Sequence, residues 1–281
     1  MKVLVIGAGG FIGSSLLRNL GNSGTDVIAT SISGRRGMQW DVMDTDRGRE
    51  VFGRGPFDVV VNLVAVGVGS EPVDTISGWK VNTEAPTNIA RLVADQPNEP
   101  RMIHVSSSTE SRVVNERGES VYSATKAEGT QSLLEFAKQT ELRCSIVRMH
   151  NVYGPSQPKS RFVAYVIDQV LSERPIQLRF PYRVRDFVFL DDVVEHLTDL
   201  LTVELDGITQ VEIGSGIGYS LSSVVQLVAS LCGKGDVDEP QTSNSQVDPF
   251  HSIVADLNSA SLLRCATSLI DGLSLTIGSR P

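Results

Sequence analysis

Cysteine is scarce: Cys144, Cys232 and Cys265 are the only three, far apart and without a CxxC pair. Neither a disulfide framework nor a thiolate zinc site is expected, and the thiols read as reduced and buried. Positive charge is also in deficit. With 25 Lys and Arg against 33 Asp and Glu, the net charge is −8, which works against nonspecific attraction to nucleic acid or to an anionic membrane. Aromatics make up only 6% of the chain, so the basic-aromatic clusters of single-strand binders are missing as well. No apolar run approaches the roughly 20 residues of a membrane span, and the opening MKVLVIGAGG is broken by glycine too early for a signal peptide. A soluble, cytoplasmic protein with no nucleic-acid or membrane partner is expected.

What is present is an ordinary globular composition, 281 residues with 41% hydrophobic and 21% charged side chains. Apolar runs alternate with helical periodicity: a strand at Val3 to Ile6, a helix from Phe11 to Leu20, a strand at Val27 to Ala29. Val59 to Val64 is apolar but for Asn62, as suits a strand buried on both faces of a parallel sheet. Met102 to Val105 and Ser145 to Val147 repeat that pattern, with helices between them at Glu84 to Ala94 and Tyr122 to Gln139. The fold class is α/β, a doubly wound parallel sheet. Beyond Gly154-Pro155 prolines spread through a segment with one helical stretch, Phe162 to Leu171. The strand-like Phe187 to Leu190 and a helix starting at Asp191 or Asp192 return to the first sheet, and the tail has a helix from Ser222 to Leu231. This predicts a nucleotide-binding domain over 1–154 that also takes in 186–213, and a smaller C-terminal substrate lobe from 155–185 and 214–281.

Gly7, Gly10, Phe11, Ile12 and Gly13 come directly after the first strand and open the first helix. Glycines in that place keep the turn tight and let backbone N–H groups approach a pyrophosphate at a helix N-terminus, so the sheet reads as Rossmann-like. At the end of the second strand, where a ribose diol would call for an acid, stand Thr30 and Ser31, with Arg35 and Arg36 shortly after. A hydroxyl and guanidinium groups suit a 2′-phosphate better, which favours NADP over NAD, the alternative being that both arginines are solvated loop charges. Tyr122 and Lys126 are spaced i, i+4, on one helix face. For the phenol to exchange a proton near neutrality, its pKa must fall from about 10 to about 7, roughly 4 kcal/mol of help from a cation such as Lys126. Ser106, Ser107 and Ser108 close a strand at the sheet edge where ligands bind. They read either as hydroxyls for a substrate carbonyl or as a helix cap or polar turn.

In order and spacing these motifs resemble the extended short-chain dehydrogenase/reductase family, the NAD-dependent epimerases and dehydratases, and the resemblance covers nearly the whole chain. Further matches are Trp40-Asp41-Val42, Asn62-Leu63-Val64-Ala65, Lys80-Val81-Asn82, Arg148 to Pro155 (RMHNVYGP), Val184 to Val193 (VRDFVFLDDV) and Ile213 to Gly216. The resemblance implies Ser107 as the substrate-orienting hydroxyl with Ser108 as runner-up, Tyr122 as general acid/base, and Lys126 on the nicotinamide ribose. It implies that Asp41, Val42, Leu63, Val64, Ala65, Asn82 and Met149 also line the cofactor, and that Asn151 and Arg185 hold a nucleotide-sugar diphosphate. No metal is implied, and a homodimer is compatible with it. The function expected is an NADP(H)-dependent reductase of a nucleotide-linked 4-keto-6-deoxyhexose. Its rivals are an NAD-dependent 4-epimerase and, in another class, a non-catalytic NAD(P)-sensing regulator. Two departures concern the substrate: Gln241 to His251 holds no Arg or Lys, and the gap from Ser107 to Tyr122 is short.

Overall fold

The computed structural model describes residues 1–68, 75–112, 121–204, 206–235 and 252–280. The Gln241 to His251 segment lies outside them. The chain forms two compact units, Met1–Met149 with Val194–Val211, and His150–Val193 with Glu212–Pro281. Up to Met149 run β1 (Lys2–Ile6), α1 (Phe11–Asn22), β2 (Asp26–Ser31), β3 (Met38–Gln39), α2 (Thr45–Phe52), β4 (Val59–Asn62), α3 (Thr75–Trp79), α4 (Ala85–Ala94), β5 (Arg101–Ser107), α5 (Val121–Thr140) and β6 (Cys144–Met149). After Met149 come β7 (Asn151–Tyr153), α6 (Phe162–Leu171), β8 (Val184–Phe189), α7 (Leu190–Leu200), β9 (Ile208–Gly214), β10 (Gly218–Ser220), α8 (Leu221–Leu231), β11 (Ser252–Ile253), β12 (Leu262–Arg264) and α9 (Leu269–Gly278).

The large sheet has the order β12-β9-β6-β5-β4-β1-β2-β3. The registers that fix it, such as Val5 with Ala29 and with Val61, are parallel. Both faces of these strands are covered, which is why β1 after Lys2 and β4 up to Asn62 are written in Val, Leu and Ile with no polar alternation. On one face Leu4, Ile6, Val60, Met102 and Ile146 pack against Val51, Ile89, Val93 and Leu133 of the helices. Burying each such side chain contributes about 1.5–3 kcal/mol. The strand at Val59 stops at Asn62, two residues short of the expected Val64, because the Asn62 carboxamide accepts the Val64 N–H at 3.0 Å and turns the chain out of the sheet. A π-helical turn over Lys80–Glu84 precedes α4, and Pro86 occupies its first turn, where no N–H is needed.

In the second unit β8 pairs with β10 antiparallel and with β7 and β11 in parallel. Its core gathers Tyr153, Val166, Ile167, Phe187, Phe189, Val225, Val228 and Leu273. Helices α8 and α9 begin at Ser220 and Ser268, whose side chains accept the N–H three residues on. All three cysteines are free; Cys144 and Cys265 are buried, and burial pushes each thiol up to about 12, whereas Cys232, expected inside, is half-exposed at the end of α8.

Candidate active site

The glycine loop is tied to the end of β2. The N–H groups of Gly7 and Ala8 both donate to the Thr30 carbonyl, at 3.1 and 2.9 Å. Gly7 has φ +87°, a left-handed conformation costly for any other residue. A Cβ on Gly13 would lie 2.4 Å from the Gly7 carbonyl oxygen, so α1 starts against the loop only because Gly13 has no side chain. Helix α1 carries no side-chain cap and no acid in its first turn, leaving its N-terminal N–H groups and dipole for an anion. Beside the loop, the hydroxyls of Thr30 and Ser31 are buried with no hydrogen-bond partner in the protein. Arg35 and Arg36 are exposed in the turn after β2. This cradle fits the pyrophosphate and adenosine end of a dinucleotide.

The far wall is built from β4 and the segment Leu63 to Val66 that leaves it. Leu63 and Val64 pass within 3.1–3.2 Å of the Cβ position at Gly7, so they border the loop. Asn82 holds this wall to the next helix: its Oδ1 accepts from Val66 N at 3.1 Å, and its Nδ2 donates to Val66 O and Thr125 Oγ1 at 3.0 Å each. Both amide donors of Asn82 are thus spent on protein. Asp41 is exposed and caps the Met43 N–H, Val42 is buried in the core, and Ala65 is half-buried.

Helix α5 carries Tyr122 in its first turn and Lys126 in its second. Tyr122 is half-buried. Lys126 is 1% exposed, an unusual state for an ammonium, and donates to the Val105 carbonyl at 2.9 Å. Burial lowers its pKa to about 8, with the Glu110 carboxylate opposing the fall. Ser107 and Ser108 are buried at the end of β5; Ser107 Oγ shares a 2.9 Å hydrogen bond with Thr109 Oγ1, and Ser107 is in register with Met149 of β6. One residue before Val105 on β5, His104 is fully buried, with Nδ1 3.1 Å from Asn62 Nδ2. Burial, and then Lys126, hold its pKa well below the usual range, so it is neutral. Sequence reasoning misses Glu110, which is buried, accepts from Thr130 Oγ1 at 2.7 Å and from Arg148 Nε at 3.1 Å, and has its pKa raised by burial. Its one signal is that of a lone acid directly after a run of hydroxyls.

In the second unit Asn151 donates from Nδ2 to the Asp186 carbonyl at 3.1 Å, and Arg185 is buried with Nη1 donating to Val184 O at 2.6 Å. Asp186, fully buried, accepts from Ser215 N, Ser215 Oγ, Gly216 N and Ala255 N, so it organises the turn after β9 on which Arg185's strand rests. Among the described residues no three His, Cys, Asp or Glu are grouped to hold a metal ion, and no helix is long and apolar enough to cross a membrane.

Comparison with known proteins agrees with this fold. Residues 3–214 match the NAD dependent epimerase/dehydratase family. CDP-abequose synthase of Salmonella typhimurium is 25% identical over 232 residues, 78% of this chain and 77% of that one. A dTDP-4-dehydrorhamnose reductase of Mycobacterium tuberculosis is 32% identical over 107 residues, 37% of this chain and 32% of that one. The structure of MoeE5 in complex with UDP-glucose and NAD superposes with a TM-score of 0.84 at 26% identity, covering 99% of this chain and 98% of that one. The chain belongs to the NAD dependent epimerase/dehydratase family and is an NAD(P)-dependent enzyme of the extended short-chain dehydrogenase/reductase type.

Proposed function

We propose that the protein is an NADP(H)-dependent reductase of a nucleotide-linked 4-keto-6-deoxyhexose. The observation that carries the cofactor choice is the end of β2, where two buried hydroxyls without protein partners, Thr30 and Ser31, stand in place of an acid. A 2′-phosphate offers oxygens that such donors and the nearby Arg35 and Arg36 satisfy; a diol would leave them less well matched. Likeness to a dTDP-4-dehydrorhamnose reductase and to CDP-abequose synthase supports the substrate class. The MoeE5 complex with NAD favours a second reading, a 4-epimerase that oxidises and re-reduces its sugar.

NADP(H), when bound, supplies the hydride. The open α1 N-terminus, with the N–H groups of Phe11, Ile12 and Gly13, would bind its pyrophosphate, with Gly7, Gly10, Phe11, Ile12 and Gly13 forming the floor. Ser107, with Ser108 beside it, orients the substrate carbonyl oxygen by a hydrogen bond. Tyr122 gives the phenolic proton to that oxygen as negative charge develops on it, and the Lys126 ammonium stabilises the phenolate left behind. Asn82 keeps Lys126 and Tyr122 in register with the β4 wall through Thr125. Asn151 and Arg185 bind the substrate's diphosphate.

Calorimetric titration of NADPH and NADH into the wild type and an Arg35→Ala, Arg36→Ala double variant tests the cofactor choice. NADPH is expected to bind more tightly, and the double variant to lose roughly 10- to 100-fold of NADPH affinity with little change for NADH, a modest effect because both arginines are exposed. Equal affinities in the wild type, or tighter NADH, would move the epimerase ahead of the reductase.

A further inference from the structure

Glu110 is a buried carboxylate with no part in the mechanism above, and the chain arranges several groups around it. Thr130 lies one helical turn beyond Lys126 on the same face of α5. Its hydroxyl donates to Glu110 Oε1 at 2.7 Å and shares a 3.0 Å hydrogen bond with Ser106 Oγ. Ser106 is the residue after Val105, whose carbonyl takes the Lys126 ammonium. From the other side Arg148 of β6 donates through Nε to Glu110 Oε2 at 3.1 Å and through Nη1 to Gln210 at 2.9 Å, which fixes the carboxylate between sheet and helix. We propose that Glu110 is a positioning residue that keeps Lys126 in its ammonium form, so that the cation beside Tyr122 persists through the working pH range.

Among the described residues the electrostatics around Lys126 have few other sources. From β5, His104 is buried and neutral and adds no charge. From β6, Arg148 acts on the site through its ion pair with Glu110 and by itself would disfavour a second cation. On α5 itself Tyr122 is the group Lys126 serves. Lys80 and Glu84, on the π-helical turn before α4, are exposed to solvent. Burial disfavours the ammonium, and the Glu110 carboxylate, held by Thr130 one turn along α5 from Lys126, opposes that effect. Removing that carboxylate lowers the proton affinity of Lys126, so the amine loses its proton at a lower pH.

The proposal rests on the role given to Lys126 above, but its test needs no turnover. In full-length protein labelled with ¹³C,¹⁵N-lysine and ¹³C-glutamate, the Lys126 ¹³Cε resonance is assigned by its loss in Lys126→Met and titrated. A midpoint near 8 is expected in the wild type. In Glu110→Gln, which preserves size and a hydrogen-bonding group, the midpoint should fall by about 1 unit or more, and Glu110→Asp should restore much of it. An unchanged midpoint in folded Glu110→Gln overturns the proposal. Should Glu110→Gln fail to fold, the wild type alone decides. Coupled titration requires the Glu110 carboxyl carbon and the Lys126 ¹³Cε each to show an inflection where the other titrates, and two independent single-step curves overturn the coupling. A shifted midpoint with undiminished turnover supports the Glu110–Lys126 coupling and removes Lys126 from the catalytic reading.

Discussion

On the proposed mechanism Tyr122 must carry a transferable proton, and nothing about the size of its ring substitutes for that. Tyr122→Phe is expected to fold and to bind the dinucleotide as the wild type does, because the ring is only half-buried and the glycine loop is untouched. Turnover should drop by about 10²- to 10⁴-fold, the usual contribution of a general acid. Steady-state reduction of a keto-sugar nucleotide alongside cofactor titration checks this, and activity within a few-fold of wild type contradicts the assignment. The arrangement of Tyr122, Lys126 and the glycines was legible because their spacing is local: an i, i+4 pair or a loop of seven residues states its geometry in the sequence. Glu110, His104 and Asn62 were not. Their partners Thr130, Asn62 and His104 lie 20 and 42 residues away, and no periodicity encodes which polar side chains a parallel sheet brings together. Asn82 was expected to line the cofactor; the structure spends both its amide donors on Val66 and Thr125.

At the scale of elements, α5 is held where its chemistry is useful by one close approach. A Cβ on Gly129 would lie 2.0 Å from the Asn82 carbonyl oxygen and 3.0 Å from its carbonyl carbon, so the helix and the π-helical turn meet only through glycine. Gly129→Ala must push α5 away from that turn and strain the Asn82–Thr125 hydrogen bond. A loss of about 1–3 kcal/mol in stability is expected, as for other overpacked contacts, with weaker cofactor binding. Thermal unfolding and calorimetry measure both, and a variant as stable as wild type would show that the two elements do not need this contact. Strands with both faces buried were readable from continuous apolar runs. The short strands β7, β10, β11 and β12 were not, since two or three residues leave no pattern. Helix α9 could have been found: Ser268 supplies an N-cap, and Leu269, Leu273 and Thr276 repeat at helical spacing, but Gly272 and Gly278 obscured them.

Over the whole molecule, a chain of net charge −8 must bind a polyanionic cofactor and, on the function proposed here, a nucleotide-linked sugar. On that reading the means are local: the uncapped α1 N-terminus with its backbone N–H groups for the cofactor, and the buried Arg185 for the substrate. The fold and the family were legible because their motifs are ordered along one chain. The reaction was not, since reductases and epimerases of this family share the same hydroxyl, tyrosine and lysine. The direct measurement is therefore the fate of the hydride. The protein is incubated with NADPH deuterated at the transferable C4 position of the nicotinamide and a nucleotide-linked 4-keto-6-deoxyhexose, and the sugar is analysed by mass spectrometry and NMR. One deuterium at sugar C4 and one equivalent of NADP⁺ per product are expected; an unreduced keto-sugar with no NADPH consumed, while the corresponding nucleotide-linked 4-hydroxy sugar is inverted at C4 with no deuterium gained, would contradict the reductase and establish the epimerase.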